Sequence, residues 1–275
     1  MPTVPTRAAE RIASNLRKFQ PIVQSAKQRD VNESDTVIIV TDMLSELFGY
    51  EKYGDITSEV SVRGTYCDLA TKLDGHVQCL IEVKAAGMEL KESHTKQAID
   101  YAANQGVDWV VLTNASQWKV YNVTFTKPVG QDLVLDLDIL ALNAKHSECV
   151  QSLFLLTKEG FLKSALGEFS AQRQALNRFY IAATLLTDHV LDVLRRELRH
   201  ISPDVKIDID QIKSVLTQEV LKRDVIEGEK ADEARKKVNR AMNRILKAKA
   251  ATANGGASSL SPLPHEATNS DQIEE

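Results

Sequence analysis

The sequence predicts an α/β protein, with a mixed sheet flanked by helices in its first half and an all-helical domain after it. Three observations carry that expectation. Residues 36–50, TVIIVTDMLSELFGY, place Val37, Val40, Met43, Leu44, Leu47 and Phe48 on one helical stripe. Residues 59–83 then change to short runs, EVSV, TYCDLATKL and VQCLIEV, separated by turn formers. From 143 to 250 the apolar steps return to three and four residues almost throughout.

The elements follow in chain order. Residues 1–30 form an N-terminal helical segment with Ala8, Ile12, Leu16 and Phe19 near a 3.6 period, and Pro21 is its expected close. The helix over 36–50 is entered through Asn32, Glu33 and Ser34 and stopped by Gly49. In the strand pair that comes next, alternation puts Leu69, Thr71 and Leu73 on one side of the first strand. It puts Val77, Cys79, Ile81 and Val83 on one side of the second. The two sets meet when Leu73 faces Val77, Thr71 faces Cys79 and Leu69 faces Ile81, leaving Asp74, Gly75 and His76 as a three-residue loop. That register opposes Asp68 to Glu82, whereas a two-residue loop would send them to opposite faces.

Residues 93–106, SHTKQAIDYAANQG, read as a helix with Ser93 as N-cap, Gly106 as stop, and Gln97 and Tyr101 one turn apart on a single face. VDWVVLTNASQWKVYNV supplies two more strands around an Asn114, Ala115, Ser116 turn. The mixed domain is expected over 31–142 and the helical domain over 143–250. A disordered tail is expected over 251–275, where ATANGGASSLSPLPHEATNSDQIEE is small, polar and rich in breakers. Within the helical half, Leu176, Phe179, Ala183, Leu186, Val190 and Val193 form a stripe between 169 and 200. It suits packing against the helices of 207–226 and 229–250, with a homodimer or partner surface as the alternative.

Composition limits the function. At 275 residues, 43% apolar and 26% charged, the chain has the make-up of an ordinary globular protein. Cys67, Cys79 and Cys149 form no CxxC pair, and no apolar run is long enough to cross a bilayer, so a cytoplasmic location and no membrane partner are expected. The six histidines make no HxxxH or HExxH pair, which leaves zinc without a site. GxSxG, GxGxxG and GxxxxGK[ST] are all missing, so serine hydrolysis, dinucleotide binding and a P-loop motor have no support. The net charge of −4 does not advertise a polyanionic partner, yet residues 234–250 carry seven basic side chains and no acidic one. That run is either a solvated helix face or a phosphate-tracking one.

The chemistry lies in the strand pair. With Asp68 opposite Glu82, two carboxylates stand about 5 Å apart at Cβ, and Lys84 follows one step along the same face. Like charges opposed across strands repel, and a cation between them removes the cost. Mg²⁺ (or Mn²⁺) suits one or two carboxylates together with water and phosphate oxygens. A lysine beside a metal-bound water can orient or deprotonate it, so the constellation reads as phosphodiester hydrolysis. The other reading of Asp68 and Lys84 is a cross-strand salt bridge.

Asp68 followed by Glu82, Val83 and Lys84 at the end of an apolar strand resembles the PD-(D/E)xK nuclease superfamily. The likeness is closest to the N-terminal nuclease domain of type I restriction enzyme R subunits. It runs over about residues 30–123, through RDVNESDT, EVSVRGTYCDLATKL, CLIEVKA, HTKQAIDYAANQGVDWVVLTN and WKVYNV, and includes a QxxxY pair at Gln97 and Tyr101. The resemblance implies a restriction-endonuclease-like sheet and a Mg²⁺-dependent endonuclease acting on DNA. Asp68, Glu82 and the Val83 carbonyl would hold the metal, and Lys84 would activate water and stabilise charge on the phosphate. Gln97 and Tyr101 would position the site or the DNA, and Glu33 would take the place of the family's first-helix acid. Cys67 stands where the family has proline. His94, at a helix start, is a candidate phosphate contact, and His76 serves a turn. The competing function is a catalytically inactive nuclease-like module that docks DNA or a restriction or defence partner.

Overall fold

The computed structural model describes residues 3–62, 65–125 and 128–255. Two compact units divide it, residues 1–174 and 175–275. The boundary expected between 142 and 143 therefore falls inside the first of them.

The first unit is built on a six-stranded sheet in the order β1-β2-β3-β4-β5-β6. Its strands are β1 (Ile56–Val62), β2 (Thr65–Leu73), β3 (His76–Val83), β4 (Trp109–Thr113), β5 (Gln117–Thr124) and β6 (Gly130–Asp138). Only β3 and β4 run parallel; the other neighbours are antiparallel. A parallel pair needs a crossover, and here it is a 3₁₀ turn, Glu92–Thr95, leading into α3 (Lys96–Gln105). Strand β6 lies beyond the five strands expected. Its Val134, Leu135 and Leu137 are buried while Asp132, Asp136 and Asp138 stay exposed, charges suited to the edge of a sheet.

Helix α1 (Thr6–Gln28) does not close at Pro21 but runs through it. An interior proline costs about 3 kcal/mol. The buried stripe of Ala8, Ile12, Leu16 and Phe19 continues, however, into Val23 and Ala26, both fully buried, and packing of that order offsets the loss. Helix α2 (Glu33–Asp42) starts as expected, with the Asn32 side chain accepting the Asp35 amide at 2.9 Å. A π turn, Met43–Leu47, then widens the helix, and the chain turns away at Gly49, whose φ of +80° favours glycine. Arg11 from α1 closes over this corner, its guanidinium donating to the Leu47 carbonyl and forking onto Glu159 with two contacts of 2.7 Å.

These helices, with α4 (Ser147–Phe154), form one apolar cluster with Leu69, Cys79, Ile81, Val83, Val111 and Val120 from one face of the sheet. On the other face α3 packs Ala98, Ile99, Tyr101 and Ala102 against Ala70, Leu80, Val110, Leu112 and Tyr121. The unit is completed by α5 (Lys158–Leu162) and α6 (Ala165–Ala175).

The β2–β3 hairpin corrects one expectation and preserves its consequence. Its loop has two residues, Asp74 and Gly75, with φ of +50° and +79°, because Leu73 pairs with His76 and Lys72 with Val77. A bulge at Gln78 then takes up one residue, so Thr71 pairs with Cys79 and Leu69 with Ile81 after all. Val77 consequently joins the α3 side of the sheet rather than sharing a face with Cys79. The slip introduced by the shorter loop is cancelled before it reaches Asp68 and Glu82.

Ser93 does not cap α3; it sits inside the 3₁₀ turn, and Thr95 is the residue that precedes the helix. That turn is held by Thr95 Oγ1 donating to the Glu92 carbonyl at 2.6 Å and by the Lys91 amide donating to His94 Nδ1 at 3.3 Å. Gly106 ends α3 in the left-handed conformation, as expected.

The second unit comprises α7 (Arg178–Leu185), α8 (Asp188–Ile201), α9 (Ile209–Val215), α10 (Arg223–Ile226) and α11 (Glu229–Gly255). The stripe expected to run unbroken from 169 to 200 is divided between helices. Asn177 accepts the Phe179 amide at 2.9 Å and starts α7, leaving Leu176 in the connection and 65% exposed. Helix α7 packs on α11, with Ala182, Ala183, Val225, Ala231 and Ala234 buried. Because α11 extends to Gly255, residues 251–255 of the expected tail are helical; 256–275 lie outside the described residues.

Candidate active site

Strand alternation divides the end of β3 between two environments. Val83 points into the apolar cluster of α1 and α2, while Glu82, in step with Leu80, turns to the α3 side, and Lys84, past the strand end, reaches Glu33 at the start of α2. Continued one step past the Leu69↔Ile81 pair, the register brings Asp68 opposite Glu82. Its Oδ2 accepts the Val83 amide at 2.7 Å, which ties β2 to the strand end by a side chain. The Lys84 ammonium donates to Glu82 Oε1 at 2.8 Å and to Glu33 Oε2 at 3.3 Å. The Glu82 and Lys84 side chains are only 11% and 16% exposed, against 46% for Glu33, so solvent reaches the cluster from the Glu33 side.

Burial sets the electrostatics. Desolvation holds the Asp68 carboxyl above its ordinary range, against the pull of the Val83 amide and the Lys84 charge. Glu82 is raised too, by burial first and by Asp68 as well, with Lys84 opposing. Burial alone would lower Lys84, but its bond to Glu82 and the charges of Glu82 and Glu33 outweigh that and raise it, so it remains an ammonium. Cys67, beside Asp68, is pushed up to about 12 by burial and then by the charges of Glu82 and Asp68, which removes it as a thiolate nucleophile.

Glu82 is buried and Asp68 partly so, and each has one oxygen engaged, so both retain lone pairs for a hard cation. Among the described residues no group of three or more His, Cys, Asp or Glu side chains is placed to hold a metal ion. The donor set therefore fits a cation that completes its shell with backbone oxygen, water and substrate, as Mg²⁺ does, rather than a closed cage.

Not every expected residue joins the cluster in the same way. Asp68, Glu82, Lys84 and Glu33 come together. Tyr101 is buried in the α3 core near Cys67, and burial raises its phenol above the usual value. Gln97 is exposed one turn earlier on α3. His94 fastens the turn before α3, and His76 flanks the hairpin loop.

Several supporting residues escaped the sequence analysis. The Thr113 carbonyl, at the end of the parallel neighbour β4, accepts the Lys84 amide at 2.8 Å. Beyond Lys84 the chain is fastened at three points: the Ala86 amide to the Val31 carbonyl at 3.0 Å, Asn114 Nδ2 to the Met88 carbonyl at 2.8 Å, and Lys119 Nζ to the Leu90 carbonyl at 3.1 Å. The pairing Glu82↔Leu112↔Lys119 puts Lys119 on the site's face of the sheet, a placement that only the full strand order reveals. A cavity of about 840 Å³ opens at the other end of β3 and β4, among Gln78, Trp109 and Asn122, so it is separate from the carboxylates.

Residues 37–133 match the family described as type I restriction enzyme R protein N terminus. This is the family that the motifs of this segment resemble. Neither a curated protein nor a solved structure matches the chain. No helix among the described residues is long and apolar enough to cross a membrane.

Proposed function

We propose that this protein is a Mg²⁺-dependent endonuclease that hydrolyses phosphodiester bonds of DNA on a restriction-endonuclease-like domain. The observation that carries the reading is the meeting of Asp68 and Glu82 at the end of β3, where Asp68 accepts the Val83 amide at 2.7 Å and the Lys84 ammonium lies 2.8 Å from Glu82. The match of residues 37–133 to the restriction R protein family supports DNA as the substrate.

Asp68, Glu82 and the Val83 carbonyl would hold Mg²⁺ or Mn²⁺, which when bound supplies a Lewis acid and a water acidified for attack on phosphorus. Lys84, kept charged by Glu82 and Glu33, orients that water by hydrogen bonding and balances negative charge developing on the phosphoryl oxygens. Its part is that of a donor, not of the general base that the sequence alone allowed. Glu33 shares the ammonium and limits where Lys84 can swing. Tyr101 anchors α3 to the sheet, and Gln97, exposed one turn earlier on the same face, meets the nucleic acid.

Plasmid cleavage with and without Mg²⁺ or Mn²⁺ tests the assignment. Asp68→Ala and Lys84→Ala are each expected to lower metal-dependent cleavage at least about 100-fold, with the circular dichroism of the folded chain retained. Cleavage unchanged in both variants would eliminate the mechanism. The non-catalytic module has one observation in its favour: Lys84 already neutralises much of the carboxylate pair. Calorimetry separates the two, because a module whose lysine is the permanent counter-ion takes up no divalent cation at this site.

A further inference from the structure

Several cations of the second unit have a partner on their own chain. Arg178 meets Asp224 at 3.1 Å, Arg195 meets Asp192 at 2.7 Å, Arg223 meets Glu227 at 2.9 Å and Arg235 meets Asp232 at 2.7 Å. Lys237 lies over the Tyr180 ring, 5.5 Å from its centroid. Lys236, Arg240 and Arg244 form a row on one helix, α11. All three are exposed, and among the described residues none makes an ion pair, a hydrogen bond or a ring contact.

These three sit four residues apart on α11, so each lies about 6 Å along the axis from the next and within reach of it on one face. Ala231 and Ala234 of the same helix are buried, and α11 packs against α7. The cationic row is thus held on a packed scaffold. Like charges at this spacing repel one another and weaken the helix. The acidic residues of α11, Glu229, Asp232 and Glu233, are confined to its first turn and a half, and none interrupts the row.

We infer that the face of α11 bearing Lys236, Arg240 and Arg244 binds the sugar-phosphate backbone of duplex DNA. The interaction depends on charge and not on sequence, since a row of point cations follows phosphates and reads no base edge. It deepens the proposed activity and rests on that reading only in choosing DNA as the polyanion.

The experiment measures binding of the full chain to a short duplex by fluorescence anisotropy between about 50 and about 200 mM salt. Each phosphate neutralised contributes roughly 0.9 to the slope of log affinity against log salt. The triple variant Lys236→Gln, Arg240→Gln, Arg244→Gln is therefore expected to make the slope shallower by about 2 to 3, and to bind more weakly at low salt with its helical content kept. Arg223→Gln, which removes a paired cation, leaves the slope unchanged. A triple variant with the parent slope overturns the inference, as does loss of binding to phosphatidylserine vesicles with DNA binding intact. Cleavage is scored separately through Asp68→Asn, which removes activity and keeps the slope. A slope that falls in the triple variant of a chain without metal-dependent cleavage retains the DNA surface and discards the nuclease.

Discussion

One residue separates two opposite environments along β3. Ile81 and Val83 are at most 2% exposed in an apolar cluster with Leu69, whereas Glu82, between them, shares buried charge with Lys84 and Asp68. The apolar face stabilises the fold and fixes the register; the charged face uses that register to hold like charges close. A strand that must satisfy both cannot slip, because a one-residue shift would exchange the two sets.

The largest effect should come from breaking the apolar face. Ile81→Ala is expected to destabilise by about 3 kcal/mol, in the range for large-to-small changes at fully buried sites, with a matching fall in the urea midpoint. An Ile81→Ala protein as stable as the parent would show that this cluster does not hold the register. On the charged face the sign reverses. Without metal at neutral pH, Asp68→Asn should stabilise by up to about 1 kcal/mol, since the amide still accepts the Val83 N–H and no longer carries a desolvated charge. Mg²⁺ or Mn²⁺ should raise the melting temperature of the parent and leave this variant unmoved.

Removing Gln78 sharpens the comparison further. Deletion of the bulged residue keeps Thr71 opposite Cys79 and Leu69 opposite Ile81, so it should cost about 1 kcal/mol or less and preserve the metal response. A lost metal response with the fold intact would mean that the bulge itself shapes the site.

The smallest effect is the pH dependence. The carboxyls of Asp68 and Glu82 are raised in the folded state, so the native protein keeps their protons to higher pH than the unfolded chain does. Their contribution to stability is therefore present below the ordinary carboxylate values of about 4 and declines as pH rises through the raised ones. The stability gap between Asp68→Asn and the parent should widen over that interval by a few tenths of a kcal/mol to about 1. A gap independent of pH would place the cost of Asp68 elsewhere.

The central facts of the site were legible because they depend on period two. Alternation drew Asp68, Glu82 and Lys84 together and paired Leu69 with Ile81, although the three-residue loop it assumed is a two-residue loop followed by a bulge. The bulge was not legible, since nothing in the chemistry of Gln78 separates it from an ordinary strand residue. Pro21 misled because its local cost was visible while the burial of Val23 and Ala26 was not. The contact of Glu33 with Lys84 and the hold of Asn114 on Met88 join segments that are distant in sequence. Their geometry exists only after α2 and β4 have docked. Strand β6 had its alternation in plain view at 133–138, masked by its aspartates.

Beside α2, the apolar cluster on one face of the sheet takes in α1 from the front of the chain and α4 from behind the last strand. The segment that matches the restriction family includes neither. A fragment cut to 37–133 would lose the part of the apolar cluster that α1 and α4 supply around Leu69, Ile81 and Val120, and should aggregate rather than stand alone. During synthesis, the sheet has to wait for residues 147–154 to leave the ribosome before its second side is sealed.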